Sequence, residues 1–288
     1  MKKGEWRNIL VLACAVWLAL GGGFNNRVHA QHPDEMAVVT FNIRYDNPGD
    51  PLTWDQRKEK VAGAVGYFDI LGFQEVLPHQ LDDLVERLPE HDHYGVGRDD
   101  GKSGGEHCPI FWRRSRYELL HAETKWLSAT PEVPGSVGWD ASLPRIATIV
   151  LLHDRQTGKV LRVANTHFSH IGEQARALAA RMLALQFTLS EADIDILLGD
   201  LNAEPGSEAV SILVESGLAD AHDAASKRCR KGIGTFTGFN TGGMRGAPRI
   251  DHIFVRGAAE IPWFCTEEQI IDGLYISDHL PVYIALVP

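Results

Sequence analysis

The sequence predicts one α/β domain of the layered α+β kind, two packed sheets with helices outside. Three observations predict it. Two strand–helix units come first, then a strand-rich stretch, then a helical crossover followed by more strands. The chain has 288 residues and is 44% hydrophobic, enough to fill a sizeable core. No low-complexity stretch, solenoid-spaced repeat or linker interrupts residues 36–288.

Each element has a local reason. Residues 36–45 alternate like a strand, and Asn47-Pro48-Gly49-Asp50-Pro51 ends it. Residues 54–68 suit an amphipathic helix with Asp55 in its first turn, and 70–76 is a short buried strand. Pro78 opens a helix to about Leu88. Strand-like runs follow at 93–96, 110–113, 118–127, 146–153 and 160–166. Ala, Leu and Met recur at helical spacing over 172–189, and 207–215 is a shorter helix after the strand at 194–198. Strands are expected at 234–239, 250–255, 261–266 and 280–286, and the Gly-rich stretch 238–248 is a loop.

The first thirty residues stand apart. Lys2, Lys3 and Arg7 precede an unbroken apolar run from Ile9 to Leu20, and Val28-His29-Ala30 resembles a small-x-small cleavage site. That layout predicts a signal peptide over 1–30 and one folded domain over 31–288, exported to the periplasm or secreted. The run is too short to span a bilayer as a helix, so no integral membrane segment is expected after cleavage; a retained anchor is the alternative. Lipidation at Cys14 would leave almost no apolar run before the cysteine.

Residues 1–30 carry a net +3, so the remainder falls from −10 to −13. An acidic surface repels long polyanions unless one face is locally basic, which weighs against nucleic acid; a bound metal would still permit it. Of Cys108, Cys229 and Cys265, the last two could pair after export, or all three could be reduced. None has zinc-ligand spacing.

Polar residues cluster at the ends of apolar strands: Asn42, Glu75, His167, then Asp200 with Asn202, and Asp278-His279. Such ends present groups at one rim of a sheet, although a lone Asp or Asn there is commonly a turn former. Asp251 lies within an apolar strand and needs a partner, because an unpaired buried charge costs several kcal/mol.

Six segments recur in a telling order: Phe41-Asn42-Ile43-Arg44, Phe73-Gln74-Glu75-Val76, Asn165-Thr166-His167-Phe168, Gly199-Asp200-Leu201-Asn202, Ile250-Asp251-His252-Ile253 and Ser277-Asp278-His279-Leu280. Together they resemble the endonuclease/exonuclease/phosphatase superfamily, the group around DNase I and exonuclease III. The resemblance implies a four-layered αββα sandwich with two mixed sheets and the site at one rim. It also implies a hydrolase of phosphate esters that uses Mg²⁺, with Mn²⁺ as a substitute. Glu75 would be the principal metal ligand, with Asn42 and Asp278 near the ion. Asp200 would orient or deprotonate the attacking water, and Asn202 would hold a phosphate oxygen. His167 and His279 would bond the phosphoryl oxygens, with Asp251 fixing His279. The base is either Asp200 or the Asp251–His279 pair. Arg145 would contact phosphate, and Arg249 would do so from a mobile loop over 237–249 that also carries Arg245.

Tyr94-Gly95-Val96-Gly97-Arg98-Asp99-Asp100-Gly101, with Gly104-Gly105-Glu106 and Trp54-Asp55-Gln56-Arg57, resembles an exported bacterial branch related to deadenylase-like and sugar-phosphatase members. Ser169 stands where many relatives carry Asp. Trp54, Trp126 and Trp139 either stack a sugar or base or pack the core, core packing being expected for at least two. The leading expectation is a monomeric hydrolase of small phosphomonoesters or phosphodiesters, such as sugar phosphates or lipid head groups. The competing readings are a secreted nuclease and a catalytically silent binding protein.

Overall fold

Alternation along the strands sends successive side chains to opposite faces, and that sorting builds the layers. The computed structural model describes residues 34–230, 232–240, 246–258 and 260–288. The expected signal peptide and Arg245 lie outside them. The first half runs β1 (Met36–Asn42), α1 (Trp54–Val65), β2 (Ile70–Gln74), α2 (Pro78–Arg87), β3 (His91–Tyr94), β4 (Ile110–Arg113), β5 (Tyr117–Trp126), β6 (Ile146–Asp154) and β7 (Val160–His167). Then come α3 (Glu173–Thr188), β8 (Ile194–Asp200), α4 (Glu208–Glu215), β9 (Ala219–Asp220), α5 (Ala221–Ala224) and β10 (Lys227–Arg228). The chain closes with β11 (Asp251–Arg256), β12 (Glu260–Thr266), β13 (Ile270–Ile271), β14 (Leu274–Tyr275) and β15 (Val282–Val287).

One sheet is ordered β10-β12-β15-β1-β2-β4-β3 and the other β5-β6-β7-β8-β11-β9. Both are mixed: β1–β2 and β7–β8 pair parallel, whereas β1–β15 and β8–β11 pair antiparallel. Val38, Ile70, Val163, Ile196 and Ile284 point between the sheets and form the central core. Their neighbours Val39, Leu71 and Phe73 face outward and pack with Val61 and Val65 of α1. Leu197 and Ala164 face the other way and pack with Leu183 of α3 and Leu213 of α4. Three apolar interlayers therefore separate four layers, as expected of an αββα sandwich.

Helix starts follow their sequences. Thr53 N donates to Gln56 Oε1 at 2.9 Å in a capping box, Pro78 opens α2, and Ser207 Oγ accepts from Val210 N at 3.4 Å. No helix among the described residues is long and apolar enough to cross a membrane.

The two sheets touch at Gly72, near the site. A Cβ on Gly72 would lie 2.0 Å from Leu198 Cδ1, so only hydrogen fits there. One residue pair along, Gln74 Nε2 donates to Asn165 Oδ1 at 2.6 Å, and Asn165 Nδ2 donates to Phe73 O at 2.8 Å. This polar clamp ties β2 to β7 and fixes the spacing of the two rims.

The expected strand at 234–239 is absent. Its alternating Thr and Phe suggest a strand, but Gly238 and Phe239 take φ of 54° and 63°. Its backbone bonds are split between Pro248 O, which takes Thr235 N, and Asp278 O, which takes Thr237 N. Cys229 and Cys265 form a disulfide beside the β10–β12 edge, and Cys108 is free and buried.

Candidate active site

Parallel pairing brings the carboxyl ends of β1, β2, β7 and β8 to one rim, and antiparallel pairing brings the amino ends of β11 and β15 to it. His167 and Asp200 end β7 and β8 in register, and Asp251 opens β11 opposite Asp200. Asn42 ends β1, Glu75 follows β2, and Asp278-His279 precedes β15. Arg44, Glu75 and Asn202 all adopt left-handed φ, at 61°, 62° and 47°. Such conformations cost about 1–3 kcal/mol each and persist where surrounding structure imposes them.

Asn42 is the hub. Its Nδ2 donates to Glu75 Oε1 at 3.1 Å and to Asp200 Oδ2 at 3.0 Å, and lies 3.4 Å from His279 Nε2. Its Oδ1 accepts from Arg44 N at 3.0 Å. The amide therefore turns its nitrogen to the carboxylates and its oxygen to the Arg44 backbone. Asp200 Oδ2 also meets His167 Nε2 at 3.4 Å and His279 Nε2 at 3.6 Å, while its Oδ1 accepts from Asn202 N at 2.9 Å. His279 Nδ1 bonds Asp251 Oδ2 at 2.9 Å, which answers the need for a partner to that buried carboxylate. Ser277 Oγ accepts from His279 N at 3.2 Å and donates to Asn42 O at 2.7 Å, joining the β15 end to β1.

Burial and neighbouring charge set the proton affinities. Burial alone would lower His279, but the carboxylates of Asp251 and Asp200 override it and hold the ring to about 10. Burial pushes Asp200 up to about 7 against the pull of His279. Burial and the Arg145 charge drive His167 well below the usual histidine value, so it is neutral. Asp278 is raised by burial, with Glu75 adding repulsion.

The donor set fits a hard divalent cation. Glu75 Oε2 and Asp278 Oδ2 converge on Arg44 Nη1 at 3.9 and 3.5 Å, so two carboxylates already share one cationic position. Tyr45 N fixes the same Glu75 oxygen at 3.1 Å. Asp200, Asp251 and His279 also have ligand atoms within 4.8 Å of one another. In that trio, however, Asp251 is already engaged by His279 Nδ1.

Asn202 reaches the site through its backbone, while its Nδ2 donates to Phe168 O at 3.2 Å. Arg145 is buried, with Nη2 3.1 Å from His170 Nδ1 and Nη1 without a hydrogen-bond partner among the described residues. Arg249 does not join the site. Its Nη2 pairs with Asp220 Oδ2 at 2.8 Å and its Nη1 lies 3.0 Å from His252 Nδ1, because its place beside the start of β11 directs it to the sheet edge. Ser169 Oγ accepts from Gly172 N at 3.0 Å and shapes the turn into α3. Trp54 and Trp126 are core residues, whereas Trp139 is exposed.

Sequence reasoning missed Arg44, His170 and Phe236. Arg44 stands inside a quoted motif. Phe236, whose ring lies 5.0 Å from that of His279, was assigned to a strand that does not form.

The profile of the Endonuclease/Exonuclease/phosphatase family matches residues 39–279. An endonuclease/exonuclease/phosphatase structure from Bacteroides vulgatus is 37% identical, covers 88% of this chain and 98% of its own, and superposes with a TM-score of 0.82. A mannosyl-6-phosphatase of Bacteroides thetaiotaomicron is 35% identical, with 88% and 100% coverage and a TM-score of 0.81. The CCR4-Not complex 3'-5'-exoribonuclease subunit Ccr4 of Emericella nidulans is 24% identical over 74% of this chain; the chain spans 41% of that protein's length. These relatives are phosphoester hydrolases, and the family is generally dependent on divalent metal. By its matched profile and its sandwich, the chain belongs to the endonuclease/exonuclease/phosphatase family.

Proposed function

We propose that this protein is an exported, monomeric, Mg²⁺-dependent phosphatase of small phosphomonoesters, with sugar phosphates first among them and Mn²⁺ a working substitute. The observation that carries the reading is the convergence of Asn42, His167 and His279 on the Asp200 carboxylate beside Glu75. The mannosyl-6-phosphatase likeness over the whole of that relative supports the substrate class. The N-terminal pattern and the Cys229–Cys265 disulfide support export.

Mg²⁺ seated at Glu75 and Asp278 would polarise the phosphoryl group and offset its charge. The chain's own residues do the rest. Asn42 and Tyr45 N hold Glu75 in place. His279, kept cationic by Asp251, and neutral His167 donate to phosphoryl oxygens, and Arg145 offers Nη1, which has no hydrogen-bond partner among the described residues. In this reading Asp200, oriented by Asn202 N, aligns a water for in-line attack and takes its proton, and the Asp251–His279 pair is a charge-stabilising donor; the orientation of Asp200 supports that choice of base.

The test offers residues 31–288 sugar phosphates, a generic phosphodiester, plasmid DNA and poly(A) RNA, with Mg²⁺, Mn²⁺ or EDTA. Metal-dependent release from the monoesters, lost in Glu75→Ala, is expected. Polymer degradation would replace the reading with a secreted nuclease, and absence of turnover on every substrate would point to a binding protein.

A further inference from the structure

The segment from Val96 to Cys108 is not used by the chemistry above, yet it is built with care. Arg98 N donates to Glu106 O at 3.0 Å and Asp99 N to Gly104 O at 3.0 Å, so the chain doubles back on itself. Asp100 Oδ1 accepts from Lys102 N and Gly104 N, each at 2.8 Å, and closes the tip. A Cβ on Gly97 would lie 2.2 Å from Gly104 O, so the two arms touch through backbone.

This loop stands on a small apolar platform of Val96, Cys108, Trp126 and Ile146. Arg98 and Glu106 each lie two residues from a member of that platform, and Arg145 immediately precedes another. The Trp126 indole donates to Arg98 O at 2.6 Å, and Leu127 N donates to Arg145 O at 2.7 Å. His107 pairs with Val76, the residue after Glu75, so the platform borders the metal carboxylate.

Two guanidiniums are thereby held close enough to repel, and among the described residues each keeps a buried donor without a hydrogen bond: Arg98 Nε and Arg145 Nη1. Glu106 Oε2 accepts from Arg98 Nη1 at 2.6 Å; the exposed Asp99 carboxylate lies 3.8 Å from Nε, beyond hydrogen-bond reach. Arg98 is the leading neighbouring charge that lowers the proton affinity of Arg145, and both act the same way on His167. Unmade buried donors cost about 1–3 kcal/mol each, more when charged, and the pair repels. Such a cost is relieved by an anion.

The anion's charge matters. A terminal phosphate carries nearly two charges and three free oxygens at about pH 8, whereas an internal diester carries one charge and two. We propose that Arg98, positioned by Glu106 and the Trp126 indole, joins Arg145 in gripping the terminal phosphate dianion and is the residue that favours monoesters over diesters. This rests on the phosphatase reading. Arg98 is the specificity-determining contact, and Glu106 is a positioning residue that acts through it.

The test titrates inorganic phosphate and dimethyl phosphate into the Mg²⁺-loaded protein by calorimetry at pH 8. Wild type, Arg98→Ala, Arg98→Lys and Glu106→Gln are compared, with thermal melts to confirm folding. Arg98→Ala is expected to weaken phosphate binding by about tenfold or more while changing dimethyl phosphate by about twofold or less, because a charge-assisted contact to the dianion is lost. Arg98→Lys recovers part of the loss, and Glu106→Gln falls between. In turnover, the monoester-to-diester ratio of kcat/KM falls through KM. Equal weakening of both ligands, or unchanged phosphate affinity in Arg98→Ala, overturns the proposal, as does a wild type that binds no phosphate. Failure of the phosphatase reading is separately visible: wild type would bind phosphate through Arg98 yet hydrolyse no monoester.

Discussion

Replacing Arg57 with alanine should damage both stability and the placement of Glu75. Its side chain is fully buried, and its guanidinium donates to the carbonyls of Ile43, Arg44, Tyr45 and Ile276. Three of those belong to the turn that follows β1, where Arg44 takes a left-handed φ and Tyr45 N holds Glu75. Truncation leaves four carbonyls without their charged donor. Bonds to charged groups contribute about 1.5–3 kcal/mol each, and water entering the space recovers part of that. The net loss should be about 3–5 kcal/mol, the range for removing one partner from a buried charged contact. For a domain of this size that is roughly 6–20 °C in Tm, at about 2–4 °C per kcal/mol. Urea unfolding measures it, and kcat should fall with it as Glu75 loses its backbone donor. Arg57→Lys should recover little, since one ammonium cannot span carbonyls placed for a planar fork. A loss below about 1 kcal/mol, or a lysine variant equal to wild type, would refute the reasoning.

Other expectations follow from particular contacts. Gly72→Val places its Cβ where Leu198 Cδ1 now lies, so it should destabilise by about 3 kcal/mol or more and be read as a lower urea midpoint. Asp220 is buried, which alone would raise its carboxyl, but His252 and Arg249 hold it below the usual carboxylate range. A group depressed on folding contributes stability above its unfolded value of 3.8 that is lost as pH falls through the folded value. The cost of Arg249→Met, measured by urea unfolding, should therefore be largest at pH 7 and shrink below about pH 4; a cost that does not change with pH would contradict the pairing. The same substitution should leave kcat/KM within about threefold, because Arg249 lies outside the site.

Much of this was legible in the chain. The strand ends at Asn42, Glu75, His167 and Asp200 were readable because period-two apolar runs stop at a polar residue, and a rim is where such runs stop together. Asp251 was readable as a buried charge in need of a base, and the structure supplies His279. What local pattern does not carry is direction. Asn42 was expected near the metal, but only three dimensions show its amide nitrogen aimed at two carboxylates. Arg249 stood close to Asp251 in sequence, yet the short strand β9 captures it through Asp220, and two residues are too few to reveal a strand by periodicity. The segment 234–239 had strand-like residues and formed none, because its hydrogen-bond partners lie on two different segments. Arg57 reads as one more surface charge of an amphipathic helix until the turn it supports is seen.

The central claim is that Asp200 aligns and deprotonates the attacking water. Asp200→Asn keeps the side chain's size and its acceptor for Asn202 N, and removes the base. Single-turnover release of phosphate from a sugar phosphate in Mg²⁺, compared with wild type, tests the claim directly. A loss of about 10³-fold in rate is expected, with the fold confirmed by a thermal melt because the new amide faces the Asn42 Nδ2 donor. A variant that retains rate within about threefold of wild type would contradict it and move the base elsewhere.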